Sequence, residues 1–290
     1  MIGRVPRTAD GGAGRAGRRP LAFRKRRESR GIKSLLRLAL LRSERLYRAS
    51  RTLYLLTRFA ARRSHEPELA AFCLFGDRRG VFLDVGANAG QSALSFRLFN
   101  KRTPILSIEP NPYHERDLRL LKRILSRFDY RICAAGDEEG VVTLHVPAYR
   151  GVPITGEASV HERAADRTWW MQEHLRDADS DRFSVQEWVV PVRRLDDLGV
   201  EPAFVKLDVE GFELPVLRGL ARTLARHRPI VMVERNALSD GVEALLCSLS
   251  YSPCVYDAAH AALVPYERQR SQNLFYVPAA PAAAPSGTRA

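Results

Sequence analysis

The chain has 290 residues, 45% hydrophobic and 27% charged, with a formal net charge of +13, enough for one sizeable core plus appendages at the usual ~100 to 200 residues per domain. The charge is uneven: residues 1–65 hold 19 Lys or Arg against Asp10, Glu28 and Glu44, a net +16, and the other 225 residues carry −3. That excludes a uniformly basic nucleic-acid-binding body, and the four cysteines, Cys73, Cys133, Cys247 and Cys254, form no CxxC pair and no zinc-ligand cluster.

Residues 1–31 are rich in Arg and Gly and poor in large apolar side chains, so a disordered basic tail is expected there. Over residues 32–64, Ile32, Leu35, Leu36, Ala39, Leu46, Tyr47, Leu53, Tyr54 and Leu56 recur among arginines at roughly helical spacing, which predicts a basic amphipathic helical arm. Arginines interrupt this stretch too often for the ~18 apolar residues of a spanning helix, and no apolar core of a secretory signal precedes it. A cytoplasmic chain is therefore expected, with peripheral contact to anionic membrane through residues 1–63.

Residues 65–278 alternate strand and helix periodicities, which argues for one α/β domain with a mostly parallel sheet covered on both faces. Predicted strands are Val81–Val85, Ile105–Ile108, Tyr130–Ala134, Val141–Val146, Phe204–Val209, Ile230–Val233 and Asn273–Val277. Val141–Val146, after Asp137-Glu138-Glu139-Gly140, reads as an antiparallel hairpin with its predecessor. Predicted helices are Gln91–Asn100, Tyr113–Arg127, Glu213–Arg226 and Gly241–Ser250. Residues 279–290 are Pro/Ala-rich, a tail expected to be unstructured.

Three segments carry chemistry. Val81-Phe-Leu-Asp-Val-Gly-Ala-Asn-Ala-Gly90 is a hydrophobic strand running into a small-residue turn and a helix. Glycines at 86 and 90 let the backbone approach a ligand, and the new helix offers unpaired N–H groups. The GxGxxG pattern of dinucleotide folds is absent. Glu109 ends the next strand, 23 residues after Gly86, where an acid can accept hydrogen bonds from ribose hydroxyls. The third segment, Phe204-Val-Lys-Leu-Asp-Val-Glu-Gly-Phe-Glu213, reads as buried yet carries Lys206, Asp208 and Glu210 on one side. Such charges need pairing or a function, and the alternatives are a Lys206–Asp208 ion pair, with Glu210 or Glu213 at a helix N-terminus, or a site at the strand's carboxyl end.

Taken in order, these segments resemble the FkbM-type family of class I methyltransferases. The likeness extends to Ala158–Val160, Val190–Leu198, Pro215–Gly219 and Ile230–Glu234, and runs from about Gly80 to Val277. The resemblance implies a doubly wound, Rossmann-like α/β fold whose mostly parallel sheet ends in an antiparallel C-terminal strand. It also implies S-adenosylmethionine as methyl donor and O-methylation of a sugar or natural-product hydroxyl. By the same likeness, Asp84 and the turn at Gly86, Asn88 and Gly90 hold the methionine part, Glu109 the ribose, and Asn111 flanks the adenosine. Asp137 meets the adenine amino group or is a solvated surface acid. The long arginine-rich start is no part of the family pattern.

A hydroxyl is barely ionised at neutral pH, so a positioned base is expected. Asp208 is the first candidate, with Glu234, His161 and His174 as alternates. Asp208, Glu210 and Glu234 suggest a divalent site, but their spacing fixes no ligand geometry and no metal is expected. The segment 147–190 holds Trp169, Trp170 and Trp188 near Met171 and His174, and reads as a cover over an acceptor pocket or as packing. The expected partner is a hydroxyl-bearing small molecule or glycan. The competing readings are an RNA-directed methyltransferase and a non-catalytic nucleotide-binding protein. Nucleic acid is disfavoured because the first 30 residues lack interleaved aromatics.

Overall fold

A computed structural model describes residues 39–160, 179–236 and 239–279. The basic tail, the start of the arm, His161, Trp169, Trp170, Met171, His174 and the Pro/Ala-rich tail lie outside the described residues.

The described chain begins with helix α1 (Glu44–Ala60), then a 3-10 segment at Pro67–Phe75. Strand β1 (Val81–Val85), helix α2 (Gln91–Phe99), β2 (Ile105–Glu109), helix α3 (Glu115–Ile124) and β3 (Phe128–Ile132) follow in the expected alternation. Next come β4 (Ala134–Ala135), β5 (Gly140–Tyr149), β6 (Val152–Pro153), β7 (Phe183–Arg193) and β8 (Pro202–Leu207). Helices α4 (Glu213–Arg218) and α5 (Ala221–His227), strand β9 (Ile230–Glu234), helix α6 (Ser239–Ser248), and strands β10 (Tyr251–Asp257), β11 (Ala262–Pro265) and β12 (Asn273–Pro278) complete it.

The main sheet has the order β11-β10-β12-β9-β8-β1-β2-β3. Strands β9, β8, β1, β2 and β3 are parallel, and β12, β10 and β11 add antiparallel at one edge. The architecture is thus the doubly wound, mostly parallel one expected, with three antiparallel C-terminal strands instead of one. Alternation along each strand divides the core. Leu83, Val85, Val205, Leu207, Val231 and Val233 face α4, α5 and α6, whereas Phe82, Phe204, Ile230 and Met232 face α2, α3 and the 67–75 segment. On that second face Phe72 meets Phe82, Phe96, Phe204 and Phe275 with ring centroids 5.0 to 6.0 Å apart. Helix α1 lies over it as well, packing Leu55 and Phe59 inward while Tyr47 joins Leu41, Tyr149, Val152 and Ile154. Among the described residues no helix is long and apolar enough to cross a membrane.

The expected hairpin of Val141–Val146 with its predecessor does not form. Strand β5 pairs antiparallel with β7 along its whole length, in a second sheet of order β4-β7-β5-β6. Strand β7 escapes a periodicity reading because most of its side chains are at least partly exposed on both faces and Pro191 interrupts it. Glu213–Arg226, expected as one helix, is two. At Gly219 a Cβ would sit 1.9 Å from the Gly136 carbonyl oxygen, so two backbones meet there and the helix restarts. Asp196 caps the restarted helix, its carboxylate accepting from the Arg222 and Thr223 backbone N–H groups at 3.1 and 2.8 Å. Helix α3 starts at Glu115, after a 3-10 turn over Pro112–His114 that the Asn111 side chain caps by accepting from Tyr113 N.

Candidate active site

The carboxyl ends of β1, β2 and β8 open into a cavity of about 220 Å³. Its walls include Gly86, Asn88 and Gln91 from the first turn, Glu109 and Pro110 after β2, and Asp208, Val209 and Glu210 after β8. Cys133 to Ala135 and a cover made by Thr155, Gly156 and Ala158 to Val160 close the far side.

Gly86 makes this convergence possible. Its φ is +82°, and a Cβ there would lie 1.8 Å from the Asp208 carbonyl oxygen, so a side chain would force the ends of β1 and β8 apart. Asn88 also adopts a left-handed conformation, at φ +51°, which asparagine tolerates better than most residues. Its side-chain Oδ1 accepts from Ala89 N at 2.8 Å and from Arg51 of α1 at 2.8 Å.

Glu109 is 6% exposed, and its two carboxylate oxygens accept from Asn88 N at 2.6 Å and Asn111 N at 2.9 Å. Burial outweighs these bonds and pushes its pKa up to about 7. The acid therefore joins the glycine turn to the β2 exit while standing on the cavity wall.

Beneath the wall runs a row of charge. Ser107, Asp84 and Lys206 are register partners on β2, β1 and β8, and Ser107 Oγ donates to Asp84 at 2.9 Å. Lys206 Nζ lies 3.0 Å from Asp208 and 3.7 Å from Glu66. Burial alone would strip the lysine of its proton, but Glu66, Asp208 and Asp84 outweigh it and raise the pKa. Burial pushes Asp84 up to about 6.

Asp208 bonds Glu234 at the end of β9 as well as Lys206. Burial would raise the Asp208 pKa, yet Lys206 and that bond hold it below its ordinary value. Burial, reinforced by Asp208 and Glu210, pushes Glu234 up to about 8. Because Lys206 faces Asp208, the bond between the two carboxyl groups favours the negative charge on Asp208 and the proton on Glu234. Oxygens of Asp208, Glu210 and Glu234 lie within 4.8 Å of one another, so a divalent ion placed there would displace that proton.

Of the residues singled out from sequence, Gly86, Asn88, Glu109 and Asp208 line the cavity. Glu234 adjoins it through Asp208. Asp84 is fully buried under the wall, and Gly90 at φ +87° caps α2 against Leu121. Asn111 is buried: its backbone N–H donates to Glu109 and its Oδ1 accepts from Tyr113 N, while its Nδ2 has no hydrogen-bond partner among the described residues. Asp137 is off the wall, facing Arg218 at 3.9 Å. Glu213 bonds Val209 N and Gly211 N, fixing the turn after β8. Sequence reasoning missed Arg51, Glu66, Ser107, Gln91 and Thr155, whose roles arise only when distant segments meet.

The family model described as "Methyltransferase FkbM domain" matches residues 84–253, more than half of the chain. Among solved structures, the chain is similar to methyltransferase FkbM from Methylobacillus flagellatus KT at 18% identity and a TM-score of 0.44, covering 84% of this chain and 53% of that one. It therefore spans about half of that protein's length. It is also similar to a TehB-like SAM-dependent methyltransferase from Corynebacterium glutamicum ATCC 13032 Kitasato (11% identity, TM-score 0.38, 79% and 95% coverage). Aeropyrum pernix fibrillarin, crystallised with natively bound S-adenosyl-L-methionine, is a third (14% identity, TM-score 0.35, 72% and 74% coverage). No curated protein matches the sequence.

The charge assignment is testable by carboxyl-carbon NMR. Asp208 should titrate below its ordinary value and move upward in Lys206→Met, and an inflection near pH 8 should vanish in Glu234→Gln. An Asp208 titration indifferent to Lys206 would contradict the assignment.

Proposed function

The chain belongs to the FkbM-domain family of S-adenosylmethionine-dependent methyltransferases, and from that premise we propose that it methylates a hydroxyl group of a sugar or natural product. The observation that carries the proposal is the Asp208 carboxylate at the cavity wall, 3.0 Å from the buried Lys206 ammonium and bonded to Glu234.

The residues present fit the donor. Its methionine and ribose parts would be held by the Gly86–Gly90 turn and Glu109. The buried Gln91 Oε1, which has no hydrogen-bond partner among the described residues, offers an acceptor in the same wall. When bound, S-adenosylmethionine supplies an electrophilic methyl group on a positively charged sulfur.

The chain's own residues would do the remaining work. Asp208 accepts the acceptor hydroxyl's proton as the oxygen becomes nucleophilic, a role worth about 100- to 10,000-fold in rate. Lys206 keeps Asp208 ionised, and Glu234, neutral below about pH 8, donates to it and orients it. The cover at Thr155 to Val160 would screen part of the cavity from water.

Asp208→Asn should lower transfer of labelled methyl to hydroxylated sugars and macrolide alcohols by about 100-fold or more, a far larger effect than on S-adenosylmethionine binding. Label entering total RNA and none of these alcohols would overturn the acceptor class.

Affinity for S-adenosylmethionine should depend on Glu109. Ribose hydroxyls donate to the carboxylate, and burial pushes the Glu109 pKa up to about 7. As pH falls below 7 the proton competes, so the dissociation constant should rise by up to about tenfold per unit. Glu109→Gln should bind more weakly at pH 8 and flatten the dependence; calorimetry giving parallel profiles would contradict the role.

We propose further that the basic arm meets an anionic membrane. Arg45 of α1 and Arg116, Arg119 and Arg123 of α3 flank a groove that also holds Leu53 and Leu120. Leu46 and Leu53 are 60% and 63% exposed. Full-length protein should sediment with vesicles containing phosphatidylserine at low salt and be released at high salt, and Arg116→Glu with Arg123→Glu should weaken the binding. Equal sedimentation with neutral vesicles would contradict an electrostatic contact.

A further inference from the structure

The cavity walls carry an uneven set of charges. The ionisable side chains there are Glu109, Asp208 and Glu210 besides the Cys133 thiol, and among the described wall residues none is Lys or Arg. Acids suit the cationic parts of S-adenosylmethionine, its sulfonium and α-ammonium groups. Its α-carboxylate finds no positive side chain on the wall. Lys206 is 2% exposed, off the wall, and already shared between Asp208 and Glu66.

One guanidinium stands at the edge of this gap. Arg51, on the inward side of α1, donates from one nitrogen to Asn88 Oδ1 at 2.8 Å and from another to Thr155 Oγ1. Both partners are cavity-lining residues, one in the glycine turn and the other in the cover. The arginine thus bridges the two walls between which the methionine part would enter. Its neighbours on the helix are engaged otherwise: Arg48 pairs with Glu44 at 3.3 Å and lies 3.8 Å from the Tyr113 ring centroid, and Arg58 donates to the Ser64 carbonyl. Among the described residues no carboxylate lies within ion-pair distance of Arg51. A partly buried arginine held by two neutral oxygens has further N–H groups to offer. Planar guanidinium matches a carboxylate bidentately. The first N–H groups of α2, which lack intrahelical partners and follow Asn88 closely, add a partial positive charge on the same side.

We propose that Arg51 binds the α-carboxylate of S-adenosylmethionine, so that the basic helix preceding the catalytic domain completes the donor site. The proposal rests on the cofactor of the family. It also gives α1 a reason to be fastened to the body by Leu55, Phe59 and Tyr47: a carboxylate receptor works only if its backbone is fixed.

The test compares three ligands by calorimetry on the full-length chain. S-adenosylmethionine and S-adenosylhomocysteine carry the amino-acid end; 5′-methylthioadenosine keeps the nucleoside and thioether but lacks it. Arg51→Met should raise the dissociation constants of the first two by about 10-fold or more, the scale of a lost charged hydrogen bond, and leave that of methylthioadenosine unchanged. Equal weakening of all three would mean that Arg51 merely holds the turn, and unchanged affinity for S-adenosylmethionine would mean that the α2 N-terminus suffices; either overturns the proposal. If Arg51→Met does not fold, Arg51→Lys serves, because it keeps a charge and loses the fork. Selective weakening of the two amino-acid ligands then supports the proposal, and uniform or absent weakening overturns it. A native chain that binds none of the three would instead bring down the cofactor assignment, and the proposal with it.

Discussion

Lys206 is a charged group in the middle of a parallel sheet, where the desolvation cost of an isolated ammonium is several kcal/mol even after relaxation. It is tolerated because three acids from separate parts of the chain surround it: Asp84 across the ladder on β1, Asp208 one turn of the pleat further on, and Glu66 ahead of the 67–75 segment. Removing one member of such a set leaves an uncompensated charge and commonly costs about 3 to 5 kcal/mol. The arrangement therefore couples the register of β1 and β8 to the placement of a segment far away in sequence. It also determines which carboxyl groups at the sheet edge are ionised.

From that set the geometry of the site follows. Gly86 lets the ends of β1 and β8 close to contact, which brings Asp208 to the turn that leads into α2. Glu109 then ties this turn to the exit of β2 with two hydrogen bonds. A row of acids results, graded by environment: Asp208 held low by Lys206, Glu109 pushed up to about 7 and Glu234 to about 8. That gradation favours an ionised carboxylate at the cavity wall at neutral pH, the form that the role proposed for Asp208 needs.

The parallel strands and their order of appearance were legible in the sequence, because buried strands read as short apolar runs bounded by turn residues. Glu109 was legible through its spacing from Gly86, and Lys206 and Asp208 because charges in an apolar strand are costly. Strand β7 was not, since Pro191 and exposure on both faces erase the period of two. The break between α4 and α5 was also hidden, because nothing local to Gly219 announces the Gly136 carbonyl that crowds it. Arg51 was one of 19 basic residues in the first 65, and only the docking of α1 on the glycine turn distinguishes it. Asp84 carried the same motif-based expectation as Gly86, yet alternation along β1 turns its side chain under the wall toward Lys206 and Ser107.

The proposed donor site lies at the carboxyl ends of β1, β2 and β8. The most direct measurement is a crystal structure of the full chain with S-adenosylhomocysteine. The ribose hydroxyls should lie within hydrogen-bond distance of the Glu109 carboxylate, the amino-acid end over the Gly86–Gly90 turn, and the sulfur toward Asp208. A nucleoside bound elsewhere on the chain, or bound in this cavity with its ribose away from Glu109, would contradict it.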